Sequence, residues 1–188
     1  MKIRLILFAV LGFSTAAQAE LPSSGESWIN PQSGYEFARE AIERAYKNPA
    51  VLNNRYAQAI ARVRELMPFQ NFEVVVGTPL ERYCFGKSLV TGNPTEFAGF
   101  AMISQCTQTF SGARELPKVC TIGICKPGML QDMEQFAHTL IHEMGHVIQG
   151  TDECFASAVA MNAMRLAGYS GRRDGYTTAC GLDHLIGK

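Results

Sequence analysis

Gly150 stands between two long stretches of helical pattern, and that juncture constrains the fold more than any other feature of the chain. Upstream, Met133, Phe136, Ala137, Leu140, Ile141, Met144 and Val147 recur at helical spacing, so 129–149 is expected to form one helix. A glycine at its end accepts the positive φ that stops a helix. Downstream, Thr151 can cap a second helix running from about Asp152 to Ala167. That helix is apolar nearly all round, broken late only by Ser157, Asn162 and Arg165, and is expected to be buried. Its small residues Ala156, Ala158, Ala160 and Ala163 would let another helix approach closely. Two apolar helices joined so tightly must pack on each other and on a third layer.

The remaining elements suggest that layer. Glu36 to Lys47 reads as a helix after an extended lead-in over 20–33. Pro49 suits the first turn of the next helix, running to about Met67, with Leu52, Tyr56, Ile60, Val63 and Met67 on one face. The middle is β-like: Phe72 to Gly77, Tyr83 to Val90, Glu96 to Thr109 and Val119 to Cys125, the last ended by Pro127-Gly128. The expected class is α+β: a small mixed β-sheet packed on the 129–149 helix, with a buried glutamate-bearing helix following. The tail from Tyr169 to Lys188 is glycine-rich and reads as irregular.

The first nineteen residues read as a secretory signal peptide. Lys2 and Arg4 precede a short apolar run, Leu5 to Phe13, and Ala17-Gln18-Ala19 forms a small-x-small cleavage site. The expected domain is therefore 20–188, a single unit with no membrane span, exported to the periplasm or secreted. Without Lys2 and Arg4 the chain has 15 basic and 17 acidic residues, a formal charge of −2, and no basic block. Nucleic acid is not an expected partner. The six cysteines, Cys84, Cys106, Cys120, Cys125, Cys154 and Cys180, read as disulfides in an oxidising compartment. The expected pairs are Cys120–Cys125, Cys84–Cys106 and Cys154–Cys180. A thiolate zinc site is the rival reading, and it lacks a C-x-x-C pair.

The chemistry lies in the helix before Gly150. His142-Glu143-Met144-Gly145-His146 puts two imidazoles four residues apart on one helical face, able to share a tetrahedral metal. With 4 His and 13 Glu in 188 residues, H-E-x-x-H arises by chance with a probability of roughly 0.6%. Glu143 is offset by about 100° and lies beside the metal as a general base for an activated water. A straight helix would carry residue 153 about 10 Å beyond His146. Chain reversal at Gly150 brings it back, so Glu153 is the favoured third ligand and Asp152 the alternative. His138 reads as a supporting neighbour of the ligands rather than a ligand. His184 and Tyr176 are possible stabilisers of an oxyanion.

Residues 138–167 resemble the zincin metallopeptidases. Glu153-Cys154-Phe155-Ala156-Ser157 is similar to the glutamate helix of gluzincins, where an Asp four residues after the ligand supports a zinc-bound histidine; Ser157 holds that place here. Gly150-Thr151-Asp152-Glu153 resembles the G-T-x-D motif of deuterolysin-like aspzincins. The resemblance implies Zn2+ held by His142, His146 and Glu153, Glu143 as base, and a peptide or protein substrate bound as an added strand, for which 119–125 is the candidate partner; an ordinary sheet strand is the equal alternative for that segment. The second reading is a non-enzymatic, disulfide-stabilised exported binding module with a structural or vestigial zinc. Substrate specificity and oligomeric state are not encoded in any of these patterns.

Overall fold

The structure is a computed structural model that describes residues 30–87, 92–108, 110–111, 114–115, 117–125, 132–170 and 174–186. The expected signal peptide, most of the lead-in, residues 88–90 of the second expected strand, Pro127-Gly128 and the 129–131 start of the motif helix lie outside the described residues.

Among the described residues, four α-helices and a small mixed sheet make an α+β fold. The first helix, α1, spans Pro31–Lys47, five residues earlier than its periodicity suggests. Asn30 caps it by accepting a hydrogen bond from the Gln32 amide at 2.9 Å, and Pro31 occupies the first turn, where its missing N–H costs nothing. Gly34 lies within this first stretch because the Phe136 ring rests on it: a Cβ there would come within 2.5 Å of the ring. The Pro/Ser/Gly composition that suggests a loop is thus a capped helix start with a close packing contact.

The second expected helix is broken. Pro49–Asn53 is a 3-10 turn and α2 begins only at Ala57, ending at Leu66. Asn54 interrupts the helix by turning its side chain to the Tyr56 amide (2.8 Å) and to Asn162 (2.8 Å). Leu52 therefore lies off the apolar face and is 83% exposed, while Ile60, Val63 and Met67 are buried as expected.

The motif helix, α3 (Met133–Gln149), is capped by Asp132, and α4 (Glu153–Leu166) by Asp152. They form an antiparallel pair that packs with α1 and α2 around Ile42, Ile60, Phe136, Leu140, Ile141 and Met164. Each such side chain contributes about 1.5–3 kcal/mol when fully buried. As expected, α4 is buried from Ala156 to Met164.

The strands are β1 (Asn71–Val74), β2 (Phe85–Lys87), β3 (Pro94–Glu96), β4 (Gly99–Ala101), β5 (Phe110–Ser111), β6 (Arg114–Glu115) and β7 (Thr121–Ile124). The central sheet runs β1-β7-β4, with β1 parallel and β4 antiparallel to β7. The expected docking strand 119–125 is thus the middle strand, hydrogen-bonded on both sides, and cannot accept another chain. The strand with an edge unpaired by any described strand, and lying against α3, is β4. A Cβ on Gly99 would lie 3.1 Å from Thr139 Cγ2 and 3.3 Å from Glu143 Cγ. A side chain there would need these neighbours to give by a few tenths of an ångström, so glycine suits the close approach to the motif helix.

The disulfides are Cys84–Cys125, Cys106–Cys120 and Cys154–Cys180. Only the third matches its expected pairing. Cys120 and Cys125 flank β7, and an extended strand at about 3.3 Å per residue separates them far beyond the ~7 Å Cα limit of a disulfide. Instead they staple the two ends of β7 to different neighbours. Cys106–Cys120 sits beside the Thr107–Val119 bridge, and Cys125 reaches Cys84 at the end of the 3-10 segment Pro79–Cys84. No cysteine is free, which removes the thiolate zinc site. Three disulfides fit an oxidising environment. No described helix is long and apolar enough to cross a membrane.

Candidate metal centre

Helical geometry sets the first two donors. His142 and His146 lie one turn apart on α3, with ring centroids at 4.9 Å, and their Nε2 atoms are 3.2 Å apart. The middle of the motif matters as much as its ends. A Cβ on Gly145 would stand 2.6 Å from Ala156 Cα, so this glycine is what lets α4 lie directly against α3. Gly150 then reverses the chain at φ 75°, ψ −136°, a region essentially confined to glycine. The reversal delivers the first turn of α4 to the histidines.

Glu153 is the acid delivered. Its Oε2 lies 3.1 Å from His142 Nε2 and 3.3 Å from His146 Nε2. Asp152 is used otherwise: its Oδ1 accepts the Phe155 amide at 2.9 Å as the N-cap of α4. The three donors form a near-equilateral triangle. Ligands about 2.05 Å from a tetrahedral ion are separated by about 3.3 Å. The spacings 3.1, 3.2 and 3.3 Å fit that edge. His142, His146 and Glu153 could therefore hold a metal ion.

The two imidazoles are braced differently. His146 Nδ1 lies 2.7 Å from the Gly150 carbonyl, so the turn that ends α3 also fixes this ring. His142 Nδ1 faces Ser157 Oγ at 3.3 Å and Asp174 Oδ2 at 3.6 Å. The same Asp174 oxygen lies 3.3 Å from His138 Nε2. Asp174 comes from the tail, where its Oδ1 accepts the Tyr176 amide and the Thr177 hydroxyl, each at 2.9 Å. One carboxylate oxygen builds a turn and the other faces the histidines. Tyr176 lies over the His142 ring at 6.1 Å between centroids and 21° between planes.

Charge is concentrated here. Burial disfavours the His142 imidazolium, but hydrogen bonds with Asp174 and Glu153 and the nearby Glu143 charge outweigh it and raise its pKa to about 10. Burial likewise works against the Glu153 carboxylate, yet hydrogen bonds with His142 and His146 hold its pKa near about 2. For Asp174, contacts with His138, His142 and Ser157 overcome burial and lower the pKa. Glu143 differs: burial raises its pKa, and the two histidines only partly offset that. Tyr176 is pushed up to about 12 by burial and by the Glu153, Glu143 and Asp174 charges.

The structure thus brings together His142, Glu143, His146 and Glu153, and keeps Asp152 at the cap. His138 is buried beside the site, its Nδ1 without a hydrogen-bond partner among the described residues. His184 is exposed and bonds the Gly181 carbonyl at 3.0 Å, away from the donors. The residue missed by sequence reading is Asp174. An Asp before Gly175 in a glycine-rich tail reads as a turn former, which half of its carboxylate is. The usable signal was Cys180, six residues on, whose bond to Cys154 ties this turn to the residue next to Glu153. Comparison with known proteins returned no matching family model, no matching curated protein and no matching solved structure.

Proposed function

We propose that this chain is a compact zincin-like zinc metallopeptidase that hydrolyses peptide bonds outside the cytoplasm, in the periplasm or after secretion. The observation that carries the reading is the tetrahedral spacing of His142 Nε2, His146 Nε2 and Glu153 Oε2 beside the buried Glu143. These three residues would hold the ion. Bound there, zinc would supply a Lewis acid for the scissile carbonyl and acidify water to a pKa of about 7.

Glu143 is placed to do the proton work. Burial raises its pKa above the ordinary carboxylate value, in the direction that suits a group that takes up a proton and returns it. It takes one proton from the attacking water and passes it to the leaving amine nitrogen as the C–N bond breaks. The substrate is an extended peptide laid along β4. Pairing of β4 with β7 turns the N–H and C=O of Gly99 and Ala101 away from β7, and Gly99 lies beside the Glu143 stem. Main-chain pairing of this kind favours extended, unfolded segments with little side-chain selectivity.

The rival, a binding module with a closed structural zinc, needs a fourth protein donor. Among the described residues the donor group has three members, all cysteines are paired, and His184 points elsewhere. That supports an open position for water and the enzymatic reading. Metal analysis of the purified protein tests it: one zinc per chain, lost in His146→Ala, is expected. Absence of stoichiometric zinc, or zinc retained in His146→Ala, would overturn the assignment.

A further inference from the structure

A metal-ligating histidine needs its second nitrogen held, because that bond fixes which nitrogen carries the proton and where the ring points. His146 is served by Gly150 within its own turn. His142 has no such local partner: Ser157 is a neutral hydroxyl at 3.3 Å, and among the described residues the carboxylate facing its Nδ1 is Asp174, at 3.6 Å. Ser157 Oγ from α4 and Asp174 Oδ2 from the tail thus face the same ring nitrogen.

From this geometry we infer that the tail is a working part of the metal centre. Asp174 is the positioning residue for His142, and the Cys154–Cys180 disulfide holds it there. This rests on the metal-site reading above. With Nε2 committed to an ion, His142 must carry its proton on Nδ1, and Asp174 Oδ2 with Ser157 Oγ accepts it. The disulfide anchors the tail at the residue that follows Glu153. The Cys180 amide, bonded to the Tyr176 carbonyl at 2.8 Å, carries that anchor back to the Asp174 turn. Leu182 and Leu185 add an apolar foot against Ala158 and Met161 of α4. His138 grips the same Oδ2 from the other side. High-affinity metal uptake follows formation of Cys154–Cys180 by exchange with a disulfide-bearing oxidant, two thiols giving up two electrons and two protons. The reduced chain holds its metal weakly.

The division of labour within one carboxylate supplies the test. In Asp174→Asn the amide oxygen can keep the Tyr176 and Thr177 bonds, so the turn survives. An NH2 group then faces His142 Nδ1 and favours the tautomer with its proton on Nε2, which cannot bind metal. Zinc alone is titrated, against a chromophoric chelator, into the full oxidised chain, Asp174→Asn, the double variant Cys154→Ser/Cys180→Ser, and their combination. Thermal melting of the metal-free proteins reports folding, and the visible spectrum of the cobalt-loaded forms reports ligand geometry. Asp174→Asn is expected to weaken zinc binding about 10–100-fold, with the metal-free protein still melting cooperatively, at a lower temperature because the His138 and His142 ion pairs are lost, and with an altered cobalt spectrum. Loss of the disulfide should weaken it comparably, and the combination no further than the larger single effect, because both act through one contact. Unchanged zinc affinity in a folded Asp174→Asn overturns the positioning role and leaves the metal site standing. Fully additive losses overturn the link to the disulfide. A wild-type chain that binds no zinc overturns the metal site itself, and this inference with it.

Discussion

The α3–α4 hairpin and the tail from Asp174 to Ile186 contribute to one centre by opposite physical means. In the hairpin everything is local. Two histidines share a helix face, Gly145 admits the partner helix, Gly150 reverses the chain, and the same turn braces His146 through its carbonyl. The tail carries little regular structure, only the short 3-10 turn Asp183–Leu185. It is held by a disulfide, two buried leucines and one aspartate. A helix pair can position donors through backbone periodicity alone. An irregular segment does so only where covalent and apolar anchors replace that periodicity.

Substitutions in the hairpin can break this comparison. The largest effect is expected at Gly145. A methyl group there meets the Ala156 backbone at 2.6 Å, so α4 must move rather than a side chain rotate. Gly145→Ala should cost about 1–3 kcal/mol, read by denaturant unfolding, and weaken zinc binding because Glu153 rides on α4. Asp152→Ala sharpens the contrast on a smaller scale. It should cost about 1 kcal/mol as a lost helix cap while zinc stoichiometry stays at one per chain. Loss of zinc in that variant would make Asp152, not Glu153, the third donor.

The same contrast explains what could be read from the chain. The motif, the reversal at Gly150, the burial of α4 and the approach of Glu153, not Asp152, to the two histidines all depend on neighbours within a few residues, where helical spacing is a reliable ruler. Cys154–Cys180 was legible because it joins a helix start to a tail with little regular structure of its own. The other two pairings were not. They depend on β7 lying between β1 and β4, and that order is set by contacts among distant segments. For the same reason 119–125 looked like an edge strand and is the central one, and β4, three residues around Gly99, carried too little pattern to be noticed. Leu52 followed the helical period but fell on a 3-10 turn, because Asn54 competes for the backbone. Asp174 was hidden by its second occupation as a turn former.

The central claim is that Glu143 moves protons beside a zinc held by His142, His146 and Glu153. Hydrolysis of a denatured protein by the zinc-loaded wild type and by zinc-loaded Glu143→Gln, compared at equal metal content, tests it most directly. The account predicts cleavage by the wild type, and for Glu143→Gln a full complement of zinc with turnover reduced by at least about 10²-fold, the usual worth of a positioned general base. Cleavage at an undiminished rate by the fully loaded Glu143→Gln protein would contradict it.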